Sequence, residues 1–416
     1  MERRLSPAYP FILGEEGMET GEAALKGLRV IELGNLIGAP FCGTLMAEFG
    51  AEVIKVEEPG GGDAGRSTGQ VVDGTSLYFA FLARNKKCVT LDLRVAKGQE
   101  ILKKLTAHAD VMVENYRPGT LKKWNIDYAQ LSKINPRLIL GHVSGFGQFG
   151  PYKDRAAFDR IATAFAGQDY ITGFQDKPPA HIGGSVADYL TGLFCTVGVM
   201  FAVYSRDVNG GQGQEIDLAL YEGMFRVMNQ VEEYGQLGTI PIRTGNTNPQ
   251  FVPAETFKTK DGHWIAFHAG TDNIWKRFIK IMGREDLGEN PKFNTQRNRN
   301  ENRDELHAII GEWFKHFDAQ PLLEMLWDAG IPSTKINTIA DIFQDPHVRA
   351  RKNIIEASIS SGRKIQTMGI IPKLSRTPGR VEFVAPPMGA HNEEVYRGLL
   401  KISAEEYDGL KKQGVI

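Results

Sequence analysis

The 416 residues are close to charge-neutral, 49 basic against 50 acidic, and 42% hydrophobic with 24% charged. That composition suits a globular chain of two or three domains and argues against disorder. A net charge of −1 offers no broad basic surface for nucleic acid or an anionic membrane, so neither is expected as a partner. Three cysteines (Cys42, Cys88 and Cys195), odd in number and far apart, read as free thiols of a reducing compartment, which sets a cytoplasmic location as the expectation.

The opening residues, 1–26, carry two arginines but no sustained apolar core, so they read as an extension before the first strand and not as a signal peptide. "LRVIEL" (Leu28–Leu33) is a β-rich run, "GNLIGAPFCGTLMAEFG" predicts a helix over Ala39–Phe49, and "AEVIKVEEP" is a second strand stopped at Pro59. Strand, helix and strand within about thirty residues make a βαβ unit and imply a parallel sheet. "CVTLDL" (Cys88–Leu93), "AKGQEILKKLTAHA", "DVMVEN" and "RLILGHVSGFG" continue the alternation as strand, helix, strand and strand. Tyr189–Ser205 is seventeen residues without a charge, at the short edge of a membrane span. Its glycines, threonines and cysteine predict a buried core helix instead. "RTGNTNP" (Arg243–Pro249) breaks the pattern, and "AETFKTKDGHWIAFHAG" reads as a hairpin around Lys260-Asp261-Gly262. Helices near Asn273–Met282 and Asn302–Phe314 complete a smaller α+β domain, and the tail from Met368 is loop-rich with a terminal helix.

"GFGQFG" (Gly145–Gly150) matches G-x-G-x-x-G after a strand, but Pro151 and "YKDR" follow where a helix should open, so it reads as a loop. The sequence has no H-E-x-x-H, C-x-x-C, G-x-S-x-G or Walker loop, and no metal site is expected. Asp188, in "GGSVADYLTGLF", heads the long uncharged segment. An aspartate there can be a helix cap, accepting backbone N–H groups. A carboxylate so held keeps a low pKa and stays ionised, which equally suits a nucleophile. Gly183 and Gly184 permit close approach of a substrate to the backbone. Composition does not separate the two readings.

Several blocks in order resemble the family III CoA-transferases, a group that includes formyl-CoA transferase, carnitine CoA-transferase and the α-methylacyl-CoA racemases. They are "GLRVIELGNLIGAPFCGTLMAEFGAEVIKVEEPGGGD", "NKKCVTLDL", "ADVMVENYRPGTL", "INPRLILGHVSGFGQFGPY", "VADYLTG", "GQGQEIDLALYEGM", "DPHVRAR" and "LSRTPGRVEFVAPPMGAHNEEV". The resemblance runs from about Gly27 to the end. It implies an α/β fold with a Rossmann-like, parallel-sheet large domain built from 27–230 and a C-terminal return, 346–416. A smaller α+β domain, 231–345, lies between, and two chains interlock as a homodimer.

The resemblance also implies a function. Asp188 is then the catalytic carboxylate, carrying CoA from an acyl-CoA donor to a free carboxylic acid through an aspartyl anhydride and an aspartyl-CoA thioester. Acyl-CoA is a substrate, and no tightly bound cofactor is implied. The CoA-contacting blocks map onto Asn35, Leu36, Ile37 and Gly38, onto Lys86, onto Asn115, Tyr116 and Arg117, and onto Lys123 and Trp124. Arg and Lys suit phosphate, and the tryptophan offers a face to adenine. Asp159 is a candidate second carboxylate. Gly245 and Asn246 mark a candidate active-site loop, where formyl-CoA transferase has four glycines and this chain has "RTGNTNPQ". The racemase branch carries a histidine–aspartate pair where this chain has Phe158-Asp159, and phenylalanine exchanges no proton. A catalytically silent subunit of a hetero-oligomer, opposed by the presence of Asp188, and a nucleotide-binding regulator are the remaining alternatives, and thioester exchange between an acyl-CoA and a free acid would exclude both.

Overall fold

The computed structural model describes residues 21–248 and 250–416. Most of the expected N-terminal extension, and Pro249 at the end of the expected active-site loop, lie outside the described residues. The chain divides into two compact units. One runs to Ala166 and then takes Gly183–Met228 and Ala350–Ile416; the other is Gly167–Ile182 with Asn229–Arg349.

In the first unit, short Val- and Ile-rich runs make six parallel strands. They are β1 (Arg29–Glu32), β2 (Glu52–Glu57), β3 (Lys86–Thr90), β4 (Val111–Glu114), β5 (Ile139–Ser144) and β6 (Glu215–Ala219), in the order β3-β2-β1-β4-β5-β6. Strands covered on both faces are apolar throughout, and β4 and β5 are buried along their whole length. The order reverses between β1 and β4. In doubly wound sheets the crevice outside the strand ends at that reversal is where ligands bind. The parallel α/β architecture expected from the strand–helix alternation is therefore present. Strand β3 begins two residues before the expected Cys88, because its register with β2 pairs Val53 with Lys86 and Glu57 with Thr90. The C-terminal segment returns to this unit: Tyr396, Leu410 and Val415 share a core with Ile31, Ile54 and Met112. The Asp92 N–H donates to Val415 O at 2.8 Å, and the Tyr396 hydroxyl donates to Thr90 O at 2.8 Å.

Helix α1 (Gly38–Glu48) follows β1, α2 (Ala96–Thr106) follows β3, and α3 (Asp159–Ala166), α4 (Val186–Asp207) and α5 (Leu220–Phe225) flank the far half of the sheet. Helix α4 is long and apolar enough to cross a membrane by length and composition, and it departs from the expected buried core helix. Its inner face, Ala187, Thr191, Cys195, Val199 and Ala202, is buried where it packs on α1, α5 and β5. That crossing needs glycine, since a Cβ on Gly192 would lie 2.6 Å from Gly38 O. Leu193, Val197, Phe201 and Tyr204 recur at helical spacing on its outer face and are 38–71% exposed. The helix thus carries two apolar faces, one packed and one open. The three cysteines are buried and unpaired.

The second unit holds an antiparallel sheet of β7 (Ala254–Lys258), β8 (Trp264–His268) and β9 (Ser333–Lys335), in the order β9-β8-β7, with the expected hairpin between the first two. Phe257, Phe267, Phe278 and Phe314 centre its core. The sequence reading kept 167–182 in the large domain, but this segment belongs to the second unit. The Gly245 N–H donates to Gly173 O at 2.9 Å, and the Arg243 guanidinium donates to the carbonyls of Tyr170 and Phe174, both at 3.1 Å.

Candidate functional site

Asp188 lies in the first turn of α4, three residues after the helix-cap position, which Ser185 occupies without a side-chain cap bond. The capping role expected of Asp188 belongs to another residue. Asp159, at the start of α3 and buried, accepts from the N–H of Ala187 at 2.7 Å and from the N–H of Asp188 at 3.2 Å. Those are the two amides a cap side chain normally takes. The Asp188 carboxylate is consequently not the low-pKa acid foreseen from the sequence. Burial, and second the negative charge of Asp159, push it up to about 7. Phe158, beside Asp159 in sequence, is 70% exposed and has no ionisable group.

The carboxylate faces the amino end of α1. A Cβ on Gly38 would sit 3.8 Å from Asp188 Oδ1 and 3.0 Å from Val143 Cγ1, so glycine keeps that space open. Ile37, at the cap position of α1, makes no side-chain cap bond. Asp188 thus stands where the turn after β1 enters its helix, beside the sheet's point of reversal. Two phenols feel its charge: burial first, and Asp188 as a further cause, hold the hydroxyls of Tyr78 and Tyr189 above their ordinary range. Tyr78 was missed by the sequence reading, which has no signal for a residue a hundred positions away. Gly183 and Gly184 precede α4 and are exposed, and Gly184 has φ +87°.

The expected CoA contacts separate into groups. Asn35 and Asn115 bridge the turns after β1 and β4 reciprocally: the Asn35 N–H donates to Asn115 Oδ1 at 2.8 Å, and Asn115 Nδ2 donates to Asn35 O at 2.7 Å. Asn35, Tyr116 and Trp124 line one hollow of about 110 Å³ with Leu91, Leu93 and Arg94. The two rings meet edge to face at 5.2 Å. Leu36 is half-buried, Ile37 buried, and Gly38 opens α1. Arg117 lines a separate hollow with Lys122, Lys153 and His142, and Lys123 is exposed. Lys86 corrects the sequence reading. It is fully buried, with its ammonium 2.7 Å from Glu32 Oε2 and donating to Pro40 O at 2.7 Å, so it has no free face for a phosphate. Gly245 and Asn246 lie in the second unit, where Gly245 takes φ +62° against the Phe174 ring. Among the described residues no group of three or more His, Cys, Asp or Glu is placed to hold a metal ion.

A doubly wound sheet with a half-buried carboxylate at its point of reversal, backed by a second carboxylate, places the chain in a class: α/β proteins that take their ligands at the carboxyl ends of the strands. The chain belongs to CoA-transferase family III, whose pattern matches residues 25–392. It is 41% identical to the succinyl-CoA–D-citramalate CoA-transferase of Chloroflexus aurantiacus over 94% of this chain and 98% of that one. It is 40% identical to the β subunit of succinyl-CoA–L-malate CoA-transferase from the same organism, again over 94% and 98%. Among solved structures it is similar to a CaiB/BaiF family protein from Brucella suis, with a TM-score of 0.81, 33% identity, and coverage of 91% of this chain and all of that one. The chain is a CoA-transferase.

Proposed function

We propose that the protein moves CoA from succinyl-CoA to a small dicarboxylic acid, with Asp188 as the covalent carrier. The observation that carries the reading is the Asp188 carboxylate itself, poorly solvated and open towards Gly38 at the amino end of α1. The names of the two Chloroflexus relatives support the substrate class.

The chemistry follows from a weakly solvated carboxylate. Asp188 attacks the thioester carbonyl, the C–S bond breaks, and a mixed anhydride forms with release of CoA thiolate. The thiolate attacks the aspartyl carbonyl of the anhydride, freeing the donor acid and leaving an aspartyl-CoA thioester. The acceptor carboxylate attacks that thioester, and the same two exchanges run in reverse to deliver the new acyl-CoA and free Asp188. One difficult exchange becomes several easier ones. A desolvated anion is more reactive than a hydrated one, and exclusion of water protects both intermediates from hydrolysis. The amino end of α1, where Ile37 makes no side-chain cap bond, offers N–H dipoles to the developing oxyanion. No cofactor or metal takes part in this scheme. Racemisation lacks support: position 158 transfers no proton, and Asp159 is engaged in capping α4.

The same reading takes the working form as an interlocked homodimer, supported by the open apolar face of α4. A pairing with a paralogous chain is the second reading, supported by the relative named as a β subunit. The cytoplasm is its proposed location, in keeping with three unpaired cysteines.

The test is Asp188→Asn together with trapping. Incubation with succinyl-CoA and then hydroxylamine should mark the peptide containing Asp188 in the parent and no other. The variant should bind CoA and lose transfer by several orders of magnitude, since an amide is a far poorer nucleophile. Near-parent turnover in the variant, with deamidation ruled out, would end this reading.

A further inference from the structure

The turn from Asn35 to Gly38 is fixed from beneath by groups outside the exchange. Lys55 Nζ donates to Gly34 O at 2.9 Å, and the Leu36 N–H donates to Asp63 Oδ1 at 3.1 Å. Leu36 sits at φ +60°. That left-handed conformation is strained for a leucine, so it persists only where the surroundings hold it. Asp63 is 3% exposed. Its Oδ1 also accepts from the Gly65 N–H at 2.7 Å, and its Oδ2 lies 2.6 Å from Lys55 Nζ. Lys55 in turn reaches Glu32 Oε1 at 2.8 Å. One carboxylate therefore ties the turn after β1 to the loop after β2. A buried ion pair of this kind is weak evidence for stability, because desolvation offsets most of the attraction. What it supplies is a fixed position.

Resting on the transferase reading above, we infer that Asp63, held in place by Lys55, is a positioning residue of the transfer reaction: it keeps Leu36 in the left-handed conformation and so sets the amino end of α1, at Gly38, against the Asp188 carboxylate. Asp63 lies beneath the turn, touches none of the reacting atoms and acts only through Leu36. A displacement of about 1 Å in such a support can cost about a hundredfold in rate.

Three variants separate geometry from charge. Asp63→Asn keeps an acceptor oxygen for Leu36 and Gly65 and discards the charge. Asp63→Glu keeps the charge and displaces the oxygen by the length of a methylene. Asp63→Ala removes both. The readouts are single-turnover acylation of Asp188 by succinyl-CoA, followed by mass spectrometry well below each variant's melting midpoint, and the melting midpoint itself. Acylation should be slowed about a hundredfold in Asp63→Ala, nearly as much in Asp63→Glu, and least in Asp63→Asn. If Asp63→Ala does not fold, the order of the other two decides. Asp63→Glu as fast as Asp63→Asn, or faster, overturns the inference. So does a folded Asp63→Ala that acylates at the parent rate, or a loss that vanishes on cooling. A parent that forms no adduct at Asp188 overturns the transferase reading and this inference with it; an active parent with indifferent Asp63 variants overturns this inference alone.

Discussion

Replacing Asp159 with asparagine should change the pH at which the enzyme works without disturbing its fold. The amide side chain would keep an oxygen facing the N–H groups of Ala187 and Asp188, now accepted at 2.7 and 3.2 Å, so the cap on α4 survives. It would remove the charge that is the second cause of the raised Asp188 pKa. The whole displacement, from 3.8 to about 7, corresponds to about 4 kcal/mol. Burial is the larger cause, so Asp159 supplies less than half, at most about 2 kcal/mol. The acid limb of kcat/KM, which reports groups of the free enzyme, should therefore move down by about one pH unit from its position near 7. The assay is CoA exchange at subsaturating acyl-CoA from pH 5 to 9, in parent and variant at equal ionic strength. Asp159→Ala is the control: it loses the cap as well, at a cost of about 1 kcal/mol, and should melt earlier than the asparagine variant. An acid limb that stays in place in Asp159→Asn, or moves up, would refute the electrostatic coupling of the two carboxylates.

Three further outcomes are expected. Asp188 holds its proton more tightly in the fold than in the unfolded chain, so its contribution favours folding at pH 4 and fades as pH rises to 7. Asp188→Asn should accordingly raise the free energy of unfolding at pH 8, by at most about 4 kcal/mol, and change it little at pH 4; equal effects at both would contradict the burial of this charge. Lys86→Met should lower stability to denaturant, but by less than the roughly 3–5 kcal/mol of a charge left wholly unpaired, because Glu32 loses one of two buried ammonium partners and keeps Lys55. The folded remainder should bind CoA with parent affinity, and a selective loss of CoA binding would restore Lys86 as a phosphate contact. Sedimentation at nanomolar concentration should give about twice the chain mass of 46.1 kDa, whereas a reversible monomer would contradict interlocking.

Much of the large unit was legible because strands covered on both faces advertise themselves as apolar runs: "LRVIEL", "DVMVEN" and "RLILGHVS" all became strands of one sheet. The site was legible only in part. Asp188 stands out as a lone acid ahead of a long uncharged helix, but the residue that caps that helix lies 29 positions earlier, at the start of a different helix. No local pattern connects the two, so the sequence alone points to Asp188 as the cap and to a low pKa for it, where the fold gives the cap to Asp159 and raises the pKa of Asp188. Lys86 went astray for a related reason. "NKK" looks like a surface cluster, and only the parallel sheet brings Glu32 beneath it. The second unit's claim on 167–182 rests on contacts with Arg243 and Gly245, some seventy residues away.

The open stripe on α4 also bears on how the protein must be made and handled. Leu193, Val197, Phe201 and Tyr204 present a ridge of oil to water in a chain that stands by itself. Left open, that ridge makes a chain a target for chaperones and for its own neighbours, so yield should depend on chain concentration. Salting-out anions such as sulfate strengthen burial of such surfaces. A buffer chosen to quieten the charges would thus sharpen the ridge, and a trace of mild detergent should do more to keep isolated chains in solution than any adjustment of ionic strength.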